Sequence, residues 1–118
     1  MKYLCLVYFD GKVLDNMSET EKIAFDNEAL AYDEELQRSG HFIAAETLES
    51  VKSAVTVRMR SGKISTTDGP FTETKEQLGG FILIEARDLN DAIQVAAKIP
   101  LARFGSIEVR PIWELEKK

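Results

Sequence analysis

Two stretches of this chain are apolar at nearly every position, and they restrict the fold most. Lys2 to Phe9 reads Lys-Tyr-Leu-Cys-Leu-Val-Tyr-Phe, and Gly79 to Ala86 carries Phe81, Ile82, Leu83 and Ile84 in a row. A strand points successive side chains to opposite faces, so an unbroken apolar run means burial on both faces. Tyr3, Cys5, Val7 and Phe9 take one face of the first run; Leu4, Leu6 and Tyr8 take the other. The sheet that holds these strands needs cover on both sides.

Two helices supply one side. Ser18-Glu19-Thr20-Glu21 has the capping-box pattern, in which the serine side chain accepts a free amide and the glutamate reaches back. Phe25, Ala29, Tyr32 and Leu36 follow at helical spacing, and Ser39-Gly40 ends the helix with Gly40 as its left-handed terminal residue. A second helix starts at Asp88 as N-cap, shows the stripe Leu89, Ala92, Ile93 and Ala96, and stops at Pro100.

His41–Thr47 reads as a strand. Ala54–Arg60 alternates Val55, Val57, Met59 with Thr56, Arg58, Arg60, turns at Arg60-Ser61-Gly62-Lys63, and returns through Ile64–Thr67 as a hairpin. The last strand is Ser106–Trp113, with Pro111 suiting an edge or an end. The order is strand, helix, strand, inserted hairpin, strand, helix, strand. This is an α+β fold of the split β-α-β-β-α-β type. No helix remains for the second sheet face. A second copy, related by a two-fold axis, is the economical cover, so a homodimer packed sheet to sheet is expected.

The 118 residues suit one domain spanning the chain, 1–118, and 44% apolar content excludes a disordered chain. Fifteen basic against twenty acidic residues leave a net charge of −5 with no basic stripe, which argues against direct nucleic-acid binding. Apolar runs stop short of the ~20 residues of a membrane helix, and Met1-Lys2-Tyr3-Leu4 opens no leader, so a cytoplasmic location off the membrane is expected. Cys5, alone of its type, excludes an internal disulfide and reads as a small core residue.

Candidate chemistry is sparse. His41 opens a strand and reads as solvated or bonded to backbone, with catalysis the lesser alternative; no ligand-spaced partners surround it, so no metal is expected. No dinucleotide or phosphate-loop glycine pattern occurs, so no cofactor is expected either. Asp33-Glu34-Glu35 reads as a solvated helix face or a contact for a basic partner. The segment from Thr67 to Phe81 stands out: Gly69-Pro70 and Gly79-Gly80 bracket Asp68, Phe71, Glu73, Lys75 and Glu76. Such a loop is a common home for binding residues; the structural alternative is a turn in which Asp68 bonds its own downstream amides. Arg103, in a connection leading to a strand, is the best-placed arginine for holding an acid.

These residues carry a resemblance. Thr67-Asp68-Gly69-Pro70-Phe71, Glu73-Thr74-Lys75-Glu76-Gln77-Leu78-Gly79-Gly80-Phe81, Ile99-Pro100 and Gly105-Ser106-Ile107-Glu108-Val109-Arg110-Pro111 resemble the DGPF-domain branch of the YCII-related proteins, across essentially the whole chain. The resemblance implies a dimeric α+β barrel of ferredoxin-like subunits from bacteria. It implies a link to extracytoplasmic-function sigma factors, and in the wider family a His–Asp pair in a cleft. That histidine aligns near Ala29 and that aspartate at Ile99, so neither is present here.

The expectation is a small-molecule pocket between sheet and helices, with the Asp68–Glu76 loop on its rim. Tyr8, Asp68, Phe71, Lys75 and Arg103 are the expected ligand-binding residues. Catalysis there would be acid–base chemistry without a metal, with Asp68 or Glu76 as base and Lys75 or Arg103 as anion holder. The alternative is a non-enzymatic partner of a sigma factor, contacting it through the acidic helix face Glu19 to Glu35.

Overall fold

The computed structural model describes residues 1–115. Its elements are β1 (Lys2–Phe9), α1 (Lys12–Asp15), α2 (Glu19–Arg38), β2 (Phe42–Thr47), β3 (Val55–Arg60), β4 (Lys63–Asp68), β5 (Gln77–Glu85), α3 (Leu89–Ala97) and β6 (Ser106–Pro111), with short 3-10 turns at Val51–Ser53 and Pro100–Arg103. Four strands form one antiparallel sheet in the order β2-β5-β1-β6. With the hairpin set aside, this is the ferredoxin-like βαββαβ arrangement, of the class seen in dimeric α+β barrels.

The local signals act as read. Ser18 accepts from the Glu21 amide at 3.1 Å and Glu21 accepts from the Ser18 amide at 3.0 Å. Gly40 ends α2 with φ +81°, and Asp88 caps α3 through the Asp91 amide at 2.9 Å. The core is one cluster: Tyr3, Cys5 and Val7 of β1, Ile82 and Ile84 of β5, Tyr32 and Leu36 of α2, and Ala92, Val95 and Ala96 of α3.

Several boundaries differ from the sequence reading. β5 begins at Gln77, two residues before Gly79, because Tyr8 and Phe9 continue the ladder past a bulge at Val7/Tyr8. Strand β6 ends at Pro111, which has no N–H to offer, and Trp113 lies exposed beyond it. The segment after Gly11, to which the sequence assigns no element, makes the single helical turn α1. In α3 the helix docks through Ala92, Val95 and Ala96, leaving Leu89 and Ile93 about half exposed. Its rotation about its own axis is set by Tyr32 on α2, whose hydroxyl donates to the Val95 carbonyl at 2.6 Å.

Strands β3 and β4 pair only with each other and stand apart as a two-stranded ribbon. The Gly69 amide donates to Ala54 at 2.7 Å and the Thr56 hydroxyl donates to Gly69 at 2.9 Å, closing its base. Val55, Val57, Met59 and Ile64 lie exposed on one face. The sheet face away from the helices carries Leu4, Leu6, Tyr8, Phe81 and Leu83, all half-buried. No helix among the described residues is long and apolar enough to cross a membrane.

Candidate functional site

The helix α2 turns Phe25, Ala29, Tyr32 and Asp33 toward β1, β2, β5 and the 3-10 turn after α3, and a cavity of about 360 Å³ lies between them. It exists because small residues meet there: Ala29 on the helix, Ala45 on β2 and Gly80 on β5. Gly80 occupies a helix-facing position opposite Val7, and a Cβ there would stand 2.8 Å from the Glu46 carbonyl oxygen. Val7, Ile82, Ile99, Pro100 and Leu101 complete a mostly apolar wall.

Asp33 is the carboxyl this wall acts on. Burial raises its pKa above the ordinary value of 3.8, because the charged form loses water without gaining a partner. Tyr32 is held differently. Burial, helped by the Glu35 charge, pushes its phenol up to about 12, and its hydroxyl donates a hydrogen bond to the Val95 carbonyl. Tyr32 is therefore a neutral wall at ordinary pH, and of the two α2 groups Asp33 is the one that can move a proton.

Asp33 was read from sequence as part of a solvated acidic face. Its position argues otherwise in retrospect, since it lies one turn beyond Ala29 on the apolar stripe, while Glu34 and Glu35 remain exposed. The positions where the family resemblance places a histidine and an aspartate, Ala29 and Ile99, both stand in this wall.

The residues expected from sequence lie elsewhere. Tyr8 and Phe71 line a second, wider recess of about 900 Å³, together with Leu48, Val51, Pro70 and Leu78. Phe71 is 78% exposed and lies under the Arg58 guanidinium, 5.6 Å from ring centre to Cζ. Asp68, Lys75, Glu76 and Arg103 line neither cavity. Asp68 ends β4 in an exposed position, and Lys75 is exposed on the loop. Glu76 accepts from the Ser106 hydroxyl at 2.7 Å. The loop is closed by the Gln77 amide, which donates to Thr72 and Thr74, each at 2.9 Å, and not by an Asp68 turn. Arg103 is taken up by Glu28, its two terminal nitrogens at 2.5 and 3.0 Å from the carboxylate oxygens. That pairing lowers the Glu28 carboxyl and raises the guanidinium.

His41 is neither free nor bonded to backbone through its ring. Its Nδ1 lies 2.7 Å from the Ser39 hydroxyl and its Nε2 3.1 Å from Asp91 Oδ2. Asp91 is 9% exposed and also accepts from the Arg87 amide at 3.0 Å. The Arg87 amide bond is the main cause that lowers the Asp91 pKa, with His41 and Arg87 charges adding to it. The pair ties the start of β2 to the start of α3. The thiol of Cys5 is fully buried, and burial pushes it up to about 11, so it is a core group and no nucleophile.

In overall shape the chain is similar to 5-chloro-2-hydroxyhydroquinone dehydrochlorinase from Burkholderia phenoliruptrix AC1100, solved in complex with 2,5-dihydroxybenzoquinone. The TM-score is 0.55, with 18% identity over 97% of this chain and 94% of that one. At that identity the likeness concerns the fold. An uncharacterised protein of Rhizobium meliloti (strain 1021) is 34% identical over 114 residues, 95% of this chain and 92% of that protein. Residues 1–116 match the YCII-related domain. Matched over nearly its whole length, the chain belongs to the YCII-related family.

Proposed function

We propose that this chain binds a small molecule with an apolar, ring-sized body in the cavity between α2 and the sheet and moves a proton on it through Asp33. One observation carries the reading: a carboxyl whose pKa is raised by burial, lining a mostly apolar cavity of ligand size whose other polar lining residues are Glu46 and Thr47 at the end of β2. The scheme is acid–base catalysis and needs no metal. The fold's likeness to an enzyme solved with a ring compound bound supports it. The Asp68-Gly69-Pro70-Phe71 motif supports placing the chain in the DGPF branch, among bacterial proteins.

The reading includes a two-fold dimer. The half-buried Leu4, Leu6, Tyr8, Phe81 and Leu83 form an apolar face on the sheet side opposite α2 and α3, and a second copy would cover it. The enzymatic reading is preferred to the sigma-factor one because Asp33 leaves the acidic face for the cavity.

The test is an NMR titration with phenol, benzyl alcohol and other neutral single-ring compounds. Shifts should cluster at Phe25, Ala29, Ile82 and Leu101. Shifts confined to Tyr8, Val51 and Phe71, or no binding at all, would reject this site. For any compound that is turned over, Asp33→Asn should lower kcat by about 10²–10⁴-fold, the usual range for a lost general acid or base.

A further inference from the structure

Charge around the cavity is one-sided. The acidic residues Asp33 and Glu46 both stand among the lining residues, and no Lys, Arg or His does. Among the described residues Asp33 forms no ion pair, and burial alone accounts for its displaced pKa. The guanidinium that follows the lining segment Ile99-Pro100-Leu101 in the chain, Arg103, is already engaged by both oxygens of Glu28. An anionic ligand would meet a like charge here and find no free cation.

A cationic ligand meets the reverse. The Asp33 carboxylate has lost part of the solvation it would have in water, and an N–H donor carrying positive charge supplies both a hydrogen bond and charge balance. Phe25 and Tyr32 stand on the same stripe of α2. Because the Tyr32 hydroxyl is committed to Val95, Tyr32 offers a ligand its ring. Aromatic faces carry a negative potential that attracts cations. The chain's net charge of −5 attracts cations at long range as well.

We infer that this cavity is a site for small organic cations: a primary or secondary ammonium on an apolar, single-ring body. The ammonium sits on the Asp33 carboxylate, and the body lies against Phe25, Tyr32, Ile82 and Ile99. The inference rests on the reading of the cavity as a ligand site and adds the charge class of the ligand.

The experiment compares benzylamine, benzyl alcohol and benzoate, three ring compounds of similar size and different charge, by NMR titration at neutral pH. Wild-type protein should bind benzylamine about tenfold or more tighter than benzyl alcohol, the size of effect expected of a charge-assisted hydrogen bond, and benzoate more weakly than either. In Asp33→Asn the amine should fall to the level of the alcohol. If the three bind equally, or benzoate binds tightest, with shifts at Phe25 and Ala29, the cation inference fails while the cavity remains a ligand site. If benzylamine keeps its advantage in Asp33→Asn, the assigned partner is wrong. If none of the three shifts Phe25, Ala29 or Ile99, the reading of the cavity itself fails with it.

Discussion

Burial raises the Asp33 carboxyl above the ordinary carboxylate value, while the Arg87 amide holds Asp91 below it. The two therefore act on stability with opposite sign. For Asp33 the folded pKa lies above the unfolded one, so the charged form opposes folding at neutral pH. That penalty disappears as pH falls through the folded value toward 3.8. Asp33→Asn should raise the melting temperature at neutral pH, and the gain should close in acid. For Asp91 the folded pKa is lowered, so its contribution is present above 3.8 and is lost as pH falls through the folded value. Asp91→Asn should lower the melting temperature at neutral pH, with the gap narrowing in acid. Thermal melts of both variants from neutral pH into the carboxylate range check the two signs together. A side chain that lowers stability where it faces a cavity is a common mark of function.

Close backbone approach governs the elements. Gly105 precedes β6, and a Cβ there would run into the Tyr8 carbonyl oxygen and the Phe9 backbone. Neither is the free end of a flexible side chain, so the strand would have to shift. Gly105→Ala should cost about 1–3 kcal/mol, the range for overpacking a fitted site, as measured by urea denaturation. The β3–β4 ribbon is held differently. It lacks a sheet partner, and Val55, Val57, Met59 and Ile64 form an exposed apolar stripe. A two-stranded ribbon alone is marginally stable in water. This ribbon gains order from its base, where Thr56 and Ala54 bind Gly69.

The whole molecule is flat, 49 × 48 × 18 Å, with helices on one side of its sheet. Among the described residues the helices pack on the face of β1 and β5 that carries Tyr3, Cys5, Ile82 and Ile84, and the other face stays half-buried. Native mass spectrometry should report the mass of two chains. Leu6→Glu, in the middle of the outer face, should give the mass of one chain with unchanged far-ultraviolet circular dichroism. A wild-type monomer would defeat the sheet-to-sheet reading, and an intact Leu6→Glu dimer would move the interface elsewhere.

Features built from neighbouring residues were determined by the sequence alone. The Ser18–Glu21 box, the Gly40 terminus, the Asp88 cap and the alternating strands rest on hydrogen bonds or periodicities a few residues long. The order of elements, with the ribbon as an insertion, followed from them. Only the tertiary structure decided which face of each helix meets the sheet. Val95 replaces Ile93 in the core because α3 is rotated onto Tyr32. Rotation of α2 likewise turns Asp33 into the cavity and leaves Glu34 outside. His41 meets Asp91 across 50 residues, and Arg103 meets Glu28 across 75. The loop around Asp68 was conspicuous in sequence through its glycines and proline, whereas Asp33 was one acid among three. A helix repeats every 3.6 residues, so a single position shifts by about 100° around the axis. That angle separates an exposed carboxylate, Glu34, from a half-buried one, Asp33, and it is set by packing between segments far apart in the chain.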